Sequence, residues 1–461
     1  MIASPKKNHL SNPLMTRHSI IAALALAALA GSASAQQQPP IRELGPVEVT
    51  SPEAFGTSVT LRHTSRGLLV NDIQNRRLVL LDSALQLAKV VADSTPATAT
   101  AYSGRIGGLI PYHGDSSLFV DPTSMSMLLI APAGDVARVM SVPRSQDAMM
   151  LGTPMAGAPG LDAAGRLVYR GSPRFEMRRP ARAAGGGAPA FTPPELPDST
   201  PVVRVDLVTR AVDTLGYVRI PRLKMEVSRD ENGRMTMSAT MNPLPVIDDW
   251  AVLSDGSVAL LRGHDYHIDW IRPDDTRESS PKIPFDWRRL SDEDKVALID
   301  SVKAQRERMQ AEAPQDTVAT GRAPGVRRGA GGQGGGGGGG MQGARVMIRD
   351  GGPGGSNVQI VGPGGRGQMN FVVPEELPDY QPVFFANSVR ADADGRLWVR
   401  TIPTRSREGG AVYDVINGKG ELVDRVLVPA GRAIAGFGTG GIVYLAVTEG
   451  RTIRLERASA P

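Results

Sequence analysis

Residues 67–81 read Gly-Leu-Leu-Val-Asn-Asp-Ile-Gln-Asn-Arg-Arg-Leu-Val-Leu-Leu, two apolar runs on either side of a polar turn. Runs of four or five apolar residues bounded by turn chemistry are strands with both faces packed. The pattern recurs in register. Fifty residues on, Leu118-Phe119-Val120 overlies Leu68-Leu69-Val70, and Leu128-Leu129-Ile130 overlies Leu78-Val79-Leu80. A shift of 190 from the first copy brings Val258-Ala259-Leu260 and Ile268-Asp269-Trp270 into the same frame.

Looser copies begin at Gly165-Arg166-Leu167-Val168-Tyr169, Gly395-Arg396-Leu397-Trp398-Val399 and Gly441-Ile442-Val443-Tyr444-Leu445. Their second strands fall at Val202 to Leu207, Ala411 to Ile416 and Thr452 to Leu455, which makes six units. A four-stranded antiparallel unit cannot bury both faces alone, whereas radially arranged units bury each face against a neighbour. The fold expected is all-β: a six-bladed β-propeller of four-stranded antiparallel blades, with one inserted helix and a long Gly-rich loop. Five or seven blades are the alternative counts, because the third and fourth units are diffuse around Lys224 to Pro245. Pro46-Val47-Glu48-Val49 is placed to complete the last blade and close the ring.

The first blade carries a more specific signature. Val70-Asn71-Asp72, then Asn75-Arg76-Arg77-Leu78 and Asp82, resembles the NHL repeat, in which a strand ending in aspartate is followed by asparagine and arginine before the next strand. The second blade keeps the hydrophobic frame without it, with Asp121-Pro122 for Asn71-Asp72, Met125 for Asn75 and Met127 for Arg77. More broadly the chain resembles exported six-bladed propeller proteins of environmental bacteria. The resemblance implies a fold and brings no activity with it.

The 461 residues include 53 glycines, 36 prolines and no cysteine, which favours strands and turns and excludes disulfides, thiolate metal sites and cysteine nucleophiles. Lys6, Lys7 and Arg17 precede the apolar run Ile20 to Ala30, and Gly31-Ser32-Ala33-Ser34-Ala35 follows. This is the pattern of a signal peptide over 1–35, cleaved to leave Gln36 first. The run is too short to span about 30 Å of hydrocarbon. Cleavage leaves 49 basic against 47 acidic residues, a net +2. That balance and an exported location, periplasmic or extracellular, argue against nucleic acid as a partner. Residues 36–461 then form a single propeller domain, interrupted by a helix at 287–312 and a disordered Gly-rich insertion at 313–370. No segment after the leader is expected to cross a membrane, and the chain is expected to act as a monomer.

Ser291-Asp292-Glu293-Asp294 has the character of a helix start, Ser291 capping with Asp294 and the acidic turn meeting the positive end of the dipole. Leu298, Ile299, Val302 and Met309 would form the stripe that packs on a blade edge or face. Gly334 to Gly340 run uninterrupted inside the insertion, where a flexible loop open to trypsin between Pro314 and Gln368 is expected.

Candidates for chemistry are few. Asn71, Asp72 and Asn75 offer oxygen ligands, although ordering the turn is the simpler account of these three, and Arg77 beside them is a further binding candidate. His113 lies in the turn Pro111-Tyr112-His113-Gly114-Asp115. His264 and His267 are three apart and fall on opposite faces of the expected strand, which argues against a shared metal. The adjacent pairs Asp248-Asp249, Asp274-Asp275 and Glu375-Glu376 read as solvated turn charges. Methionines at 140, 149, 150 and 155 read as filler between blades or as an adaptable surface. No metal site or cofactor is assigned. The favoured function is a non-catalytic module binding a small molecule, peptide or envelope protein at one end of the channel. The alternative is a hydrolase resembling the six-bladed lactonases, in which a divalent cation such as Ca²⁺ polarises a carbonyl.

Overall fold

The computed structural model describes residue 1 and residues 38–95, 101–173, 196–229, 235–311, 345–351, 355–361, 368–404 and 409–461. The expected leader and its cleavage site, and much of the Gly-rich insertion, lie outside these residues.

Both faces of residues 67–81 are buried, as their pattern requires. Gly67–Asp72 pairs antiparallel with Arg77–Leu81, Leu69 opposite Leu80 and Val70 opposite Val79. Successive side chains leave a strand on opposite sides, so Leu68 and Val70 join a core with Phe55, Tyr444 and Leu455, while Leu69 joins another with Phe119, Leu128 and Ile130. One sheet thus feeds two hydrophobic cores, one shared with each neighbour.

That arrangement repeats along residues 39–461. The first sheet comprises Val59–Thr64, Gly67–Asp72, Arg77–Leu81 and Leu87–Ala92; the second Gly108–Pro111, Ser117–Asp121, Ser126–Ile130 and Val136–Ser141. The third holds Gly160–Leu161, Leu167–Arg170, Ser199–Val205 and Val212–Arg219, and the fourth Asp249–Val252, Val258–Arg262, His267–Ile271 and Arg277–Ser279. The fifth has Val389–Ala391, Leu397–Arg400, Gly410–Ile416 and Leu422–Pro429, joined in parallel by Ile41–Glu43. The sixth has Arg432–Phe437, Ile442–Glu449 and Thr452–Ser459, with Val49–Thr50 and Phe55–Gly56 both paired to its last strand.

The first strands of the sheets meet one another: Val59–Thr64 packs on Gly108–Pro111 and on Arg432–Phe437, and Asp249–Val252 on Val389–Ala391. The turns after them touch in sequence. Ser65 N donates to Asp115 Oδ2 (2.9 Å), Gly165 packs on the His113 ring, Gly256 on Ala163 and Gly395 on Ser254, Gly441 N donates to Asp394 Oδ2 (2.9 Å), and Gly438 returns to His63. Sheets that share cores with both neighbours and close on themselves define a β-propeller.

Three features depart from the sequence reading. The helix, α2 (Asp292–Ala311), begins five residues later than 287, following a short α1 (Ala148–Gly152) in the chain. Ser291 sets that start: Asp294 N donates to Ser291 Oγ (3.2 Å) and Ser291 N to Asp294 Oδ2 (3.1 Å), closing the expected capping box. Arg289 meanwhile bridges Tyr380 in extended backbone. Secondly, within the insertion Arg345–Gly351 and Gly355–Val361 pair as a hairpin, Val346 opposite Ile360 and Ile348 opposite Val358. The β-branched alternation there outweighs the glycine-rich composition around it. Thirdly, the diffuse stretch around Lys224 lies in a separate sheet, Leu223–Arg229 paired to Met235–Met241, with Gln368–Phe371 added in parallel. Ile299 and Leu298 of α2 pack here against Leu244, Val372 and Leu377.

Candidate functional site

Strand alternation sorts the connections between two ends. One end carries 65–66, 82–86, 112–116, 131–135, 162–166, 206–211, 253–257, 272–276, 392–396, 417–421 and 438–441, and six residues is the longest of these. The longer connections, 93–107, 142–159, 171–198, 220–248, 280–388 and 401–409, leave and re-enter these sheets at the other end. One end of the strand scaffold is therefore short-turned, and the other is where the longer loops begin and end, the kind of place where binding residues tend to concentrate in folds of this type.

Asn71, Asp72, Asn75 and Arg77 all lie at this long-loop end and form one cluster, as their spacing implies. Asp72 is fully buried. Its Oδ1 accepts from Gly56 N (3.1 Å) and Asn75 N (3.3 Å), and its Oδ2 from Asn75 Nδ2 (2.8 Å) and Arg77 Nε (3.0 Å). Asn71 Nδ2 donates to Thr60 Oγ1 (3.0 Å) and Gly107 O (2.9 Å), and its Oδ1 accepts from Tyr102 Oη (2.9 Å). Arg77 also pairs with Glu53 and donates to Ala54 O (3.1 Å). Burial works to lower the Arg77 pKa, but Glu53 and Asp72 outweigh it and the net shift is upward. These groups spend their hydrogen bonds pinning residues 53–56 and 102–107 to the first sheet.

His113 is exposed at the opposite, short-turn end, with the Tyr112 ring 4.4 Å away. Its ring fills the space beside Gly165, whose φ of 78° and missing Cβ both require glycine. His264 is exposed in the turn 263–266 at the long-loop end. His267 instead sits between Asp265 Oδ1 (2.7 Å) and Asp269 Oδ1 (3.2 Å). Among the described residues no three histidine or carboxylate side chains are grouped as a metal would need.

The reading of Asp248-Asp249 as solvated charges is corrected at Asp249, which is buried. Asp249 Oδ1 accepts from Trp250 N (2.9 Å), and Oδ2 from Ser388 N (2.9 Å) and Val389 N (3.2 Å), stapling the fourth sheet to the fifth. Burial pushes its pKa up to about 6 against these amides and the charge of Arg170. Asp414 behaves alike: burial raises it to about 6 although Arg425 and the Tyr266 hydroxyl (2.9 Å) pull the other way.

Arg170 went unnoticed in the sequence reading. It closes the strand Leu167–Arg170 at the long-loop end, as Arg400 closes Leu397–Arg400, and the two stretches share Asp-x-x-Gly-Arg-Leu-x-x-Arg over 162–170 and 392–400. Extending the observed repeat at Gly165 and Gly395 by one residue would have found it. Asp162 and Asp392 shape the two turns identically, each accepting from the arginine four residues on (2.7 and 2.8 Å). Arg170 Nη2 donates to Met155 O (3.3 Å), and among the described residues the guanidinium has no ion pair. Burial lowers its pKa, with Asp249 pulling in the opposite direction.

No protein-family model matches the chain, and no curated protein matches it. Several solved structures are similar. A member of the DUF4221 family from Bacteroides vulgatus is 8% identical with a TM-score of 0.38, covering 92% of this chain and 97% of that one. A catalytically inactive virginiamycin B lyase from Staphylococcus aureus, solved with quinupristin, is 10% identical with a TM-score of 0.32, covering 88% of this chain and 82% of that one. TolB from Acinetobacter baumannii is 10% identical with a TM-score of 0.19, covering 87% of this chain and 79% of that one. All are β-propeller folds. What this chain does has to be argued from its own residues.

Proposed function

We propose that the protein is an exported six-bladed β-propeller, NHL-like in its first blade, that binds a small molecule, peptide or envelope protein at its long-loop end without transforming it. The blade count takes the six sheets joined by the circle of touching turns as the blades and the sheet around Leu223–Arg229 as an addition. Export rests on the charge and apolar pattern of residues 1–35; among the described residues no helix is long and apolar enough to cross a membrane.

The observation carrying the binding role is that the longer connections leave and re-enter the sheets at one end. Loops gathered over a rigid strand scaffold form a concave mouth that recognises a partner by many weak contacts. The Asn71–Asp72–Asn75–Arg77 cluster supports the same reading, since its oxygens already hold backbone and side-chain donors of the fold.

Hydrogen exchange of the purified mature protein with bound ligand tests this. Protection is expected in 101–107, 142–159 and 263–266, with the turns 112–116 and 253–257 unchanged. Protection confined to the short-turn end would overturn the assignment of the binding face. Chelator-sensitive hydrolysis of lactones or esters, lost on Asp72→Asn, would establish the hydrolase instead.

A further inference from the structure

We infer that Arg170 anchors a carboxylate-binding site at the long-loop end, taking a monoanion carried on an apolar body. This rests on the binding role proposed above and names its ligand chemistry.

A guanidinium packed round by protein has to be compensated by an anion or by a full set of acceptors. Three other buried or half-buried arginines meet that demand, whereas Arg62, whose Nε is buried without a partner and whose Nη2 donates to Gly114 O at 3.2 Å, does not. Arg77 has Glu53 and Asp72, Arg204 has Asp213 and Asp275, and Arg262 has Asp248 and Asp269. Arg170 has the single carbonyl of Met155 at 3.3 Å. Asp249, the carboxylate whose charge acts on it, is already bound by three backbone amides and makes no hydrogen bond to it. Arg170 as a whole residue is half-buried and ends its strand at the side where the long connections leave the sheets.

The surroundings fix what fits there. A planar guanidinium matches a carboxylate through two parallel N–H···O bonds. One arginine beside the negative Asp249 favours a single negative charge and disfavours a dianionic phosphate. The segment that supplies the carbonyl is Pro154-Met155-Ala156-Gly157-Ala158-Pro159, which has no polar side chain. It is held in place by Trp250, whose Nε1 donates to Ala156 O (3.1 Å) and whose indole packs on Gly157. Pro154 and Ala158 are exposed and Met155 half-buried, so the anion's neighbour on the protein is an apolar, fixed rim.

Titration calorimetry on the mature protein tests this with octanoate, with N-acetyl-leucyl-leucine and its C-terminal amide, and with octyl phosphate. The carboxylates are expected to bind at least tenfold more tightly than the amide and the phosphate. Arg170→Gln should lose that preference, Arg170→Lys should retain part of it, and Arg210→Gln, in a turn at the other end, should leave it intact. Octanoate binding alone would identify a small acid as the source of the carboxylate, and peptide binding alone a chain terminus. Equal affinity for acid and amide in the wild type would overturn the inference whatever the variants do, as would undiminished carboxylate binding by folded Arg170→Gln. Protection of the long-loop end by some other ligand, with no carboxylate preference, would sink this inference while leaving the proposed function standing.

Discussion

Arg77 and Arg170 stand at the same end of the molecule, each at the tip of a strand whose apolar residues are buried, yet they are treated in opposite ways. Arg77 is surrounded by acceptors made for it: Asp72 at 3.0 Å, Glu53 and the carbonyl of Ala54, with the Phe55 ring 5.3 Å below. Arg170 has one long bond to a carbonyl and a carboxylate occupied elsewhere. Burial disfavours both charges; partners reverse the effect at Arg77 and do not at Arg170. A polar cluster whose valences are filled by its own fold is a fastening. A charge left short of partners is where an outside molecule has something to gain.

The largest effect should come from Asp72→Ala, which strands Gly56 N, Asn75 and Arg77 at once. We expect a loss of about 3 kcal/mol in denaturant unfolding, the scale for removing one partner of a buried ionic hydrogen-bond set. A loss under about 1 kcal/mol would mean that the cluster is not a fastening. Arg77→Gln should follow in the same direction with a smaller loss, because Arg77 is partly solvated.

The carboxylates extend the contrast to pH. Asp249 and Asp414 have folded pKa values raised to about 6 from 3.8, so between about pH 4 and 6 the folded protein binds more protons than the unfolded chain. Their contribution to stability is therefore present at the acid side of that window and is lost as pH rises through 6. Going from pH 7.5 to 5.5 should add about 1.5 kcal/mol from the two together, read as a higher melting temperature at pH 5.5. A flat or falling profile would remove the argument that burial governs these groups.

Arg170→Gln should leave the melting temperature of the unliganded protein unchanged or slightly raised, the reverse of Arg77→Gln. Equal destabilisation by the two substitutions would erase the distinction between them. At the bottom of the scale, Lys224 and Glu376 form an ion pair with both side chains about half exposed. Lys224→Ala should cost no more than about 0.5 kcal/mol, and a larger loss would mean that the added sheet is bound to the rest more tightly than its surface chemistry implies.

The second and third strands of each sheet were legible because burial on both faces writes itself as an unbroken apolar run, as in Leu68-Leu69-Val70 or Leu118-Phe119-Val120. The first strands were not. Gly160–Leu161 and Val389–Ala391 are too short and too mixed to show a period. Of the candidate residues, Asn71, Asp72, Asn75 and Arg77 were found together because their contacts are largely local, while His113 and His264 fell at opposite ends. Asp249 was misread for the converse reason: two of its donors, Ser388 and Val389, are 139 and 140 residues away, and adjacency to Asp248 pointed to water. Arg170 itself could be reached by lengthening the repeat at Gly165 and Gly395, but its lack of an ion pair is a property of the assembled neighbourhood and of no local pattern.

The circle of sheets is joined by a seam. Val49 and Thr50 pair with Arg457 and Glu456, Ser51 Oγ accepts from Leu455 N at 3.0 Å, and Arg454 donates to Pro52 O at 2.8 Å. Strands synthesised near the start must wait for others made some four hundred residues later. Folding during synthesis can therefore assemble the middle sheets early but cannot shut the clasp until the end arrives, a long-range pairing that is intrinsically slow. With no cysteine in the chain, no covalent stitch fastens that clasp. A product broken off before residue 452 would thus lose its last strand and unhook Val49–Thr50 and Phe55–Gly56 together, exposing raw sheet edges at the gap.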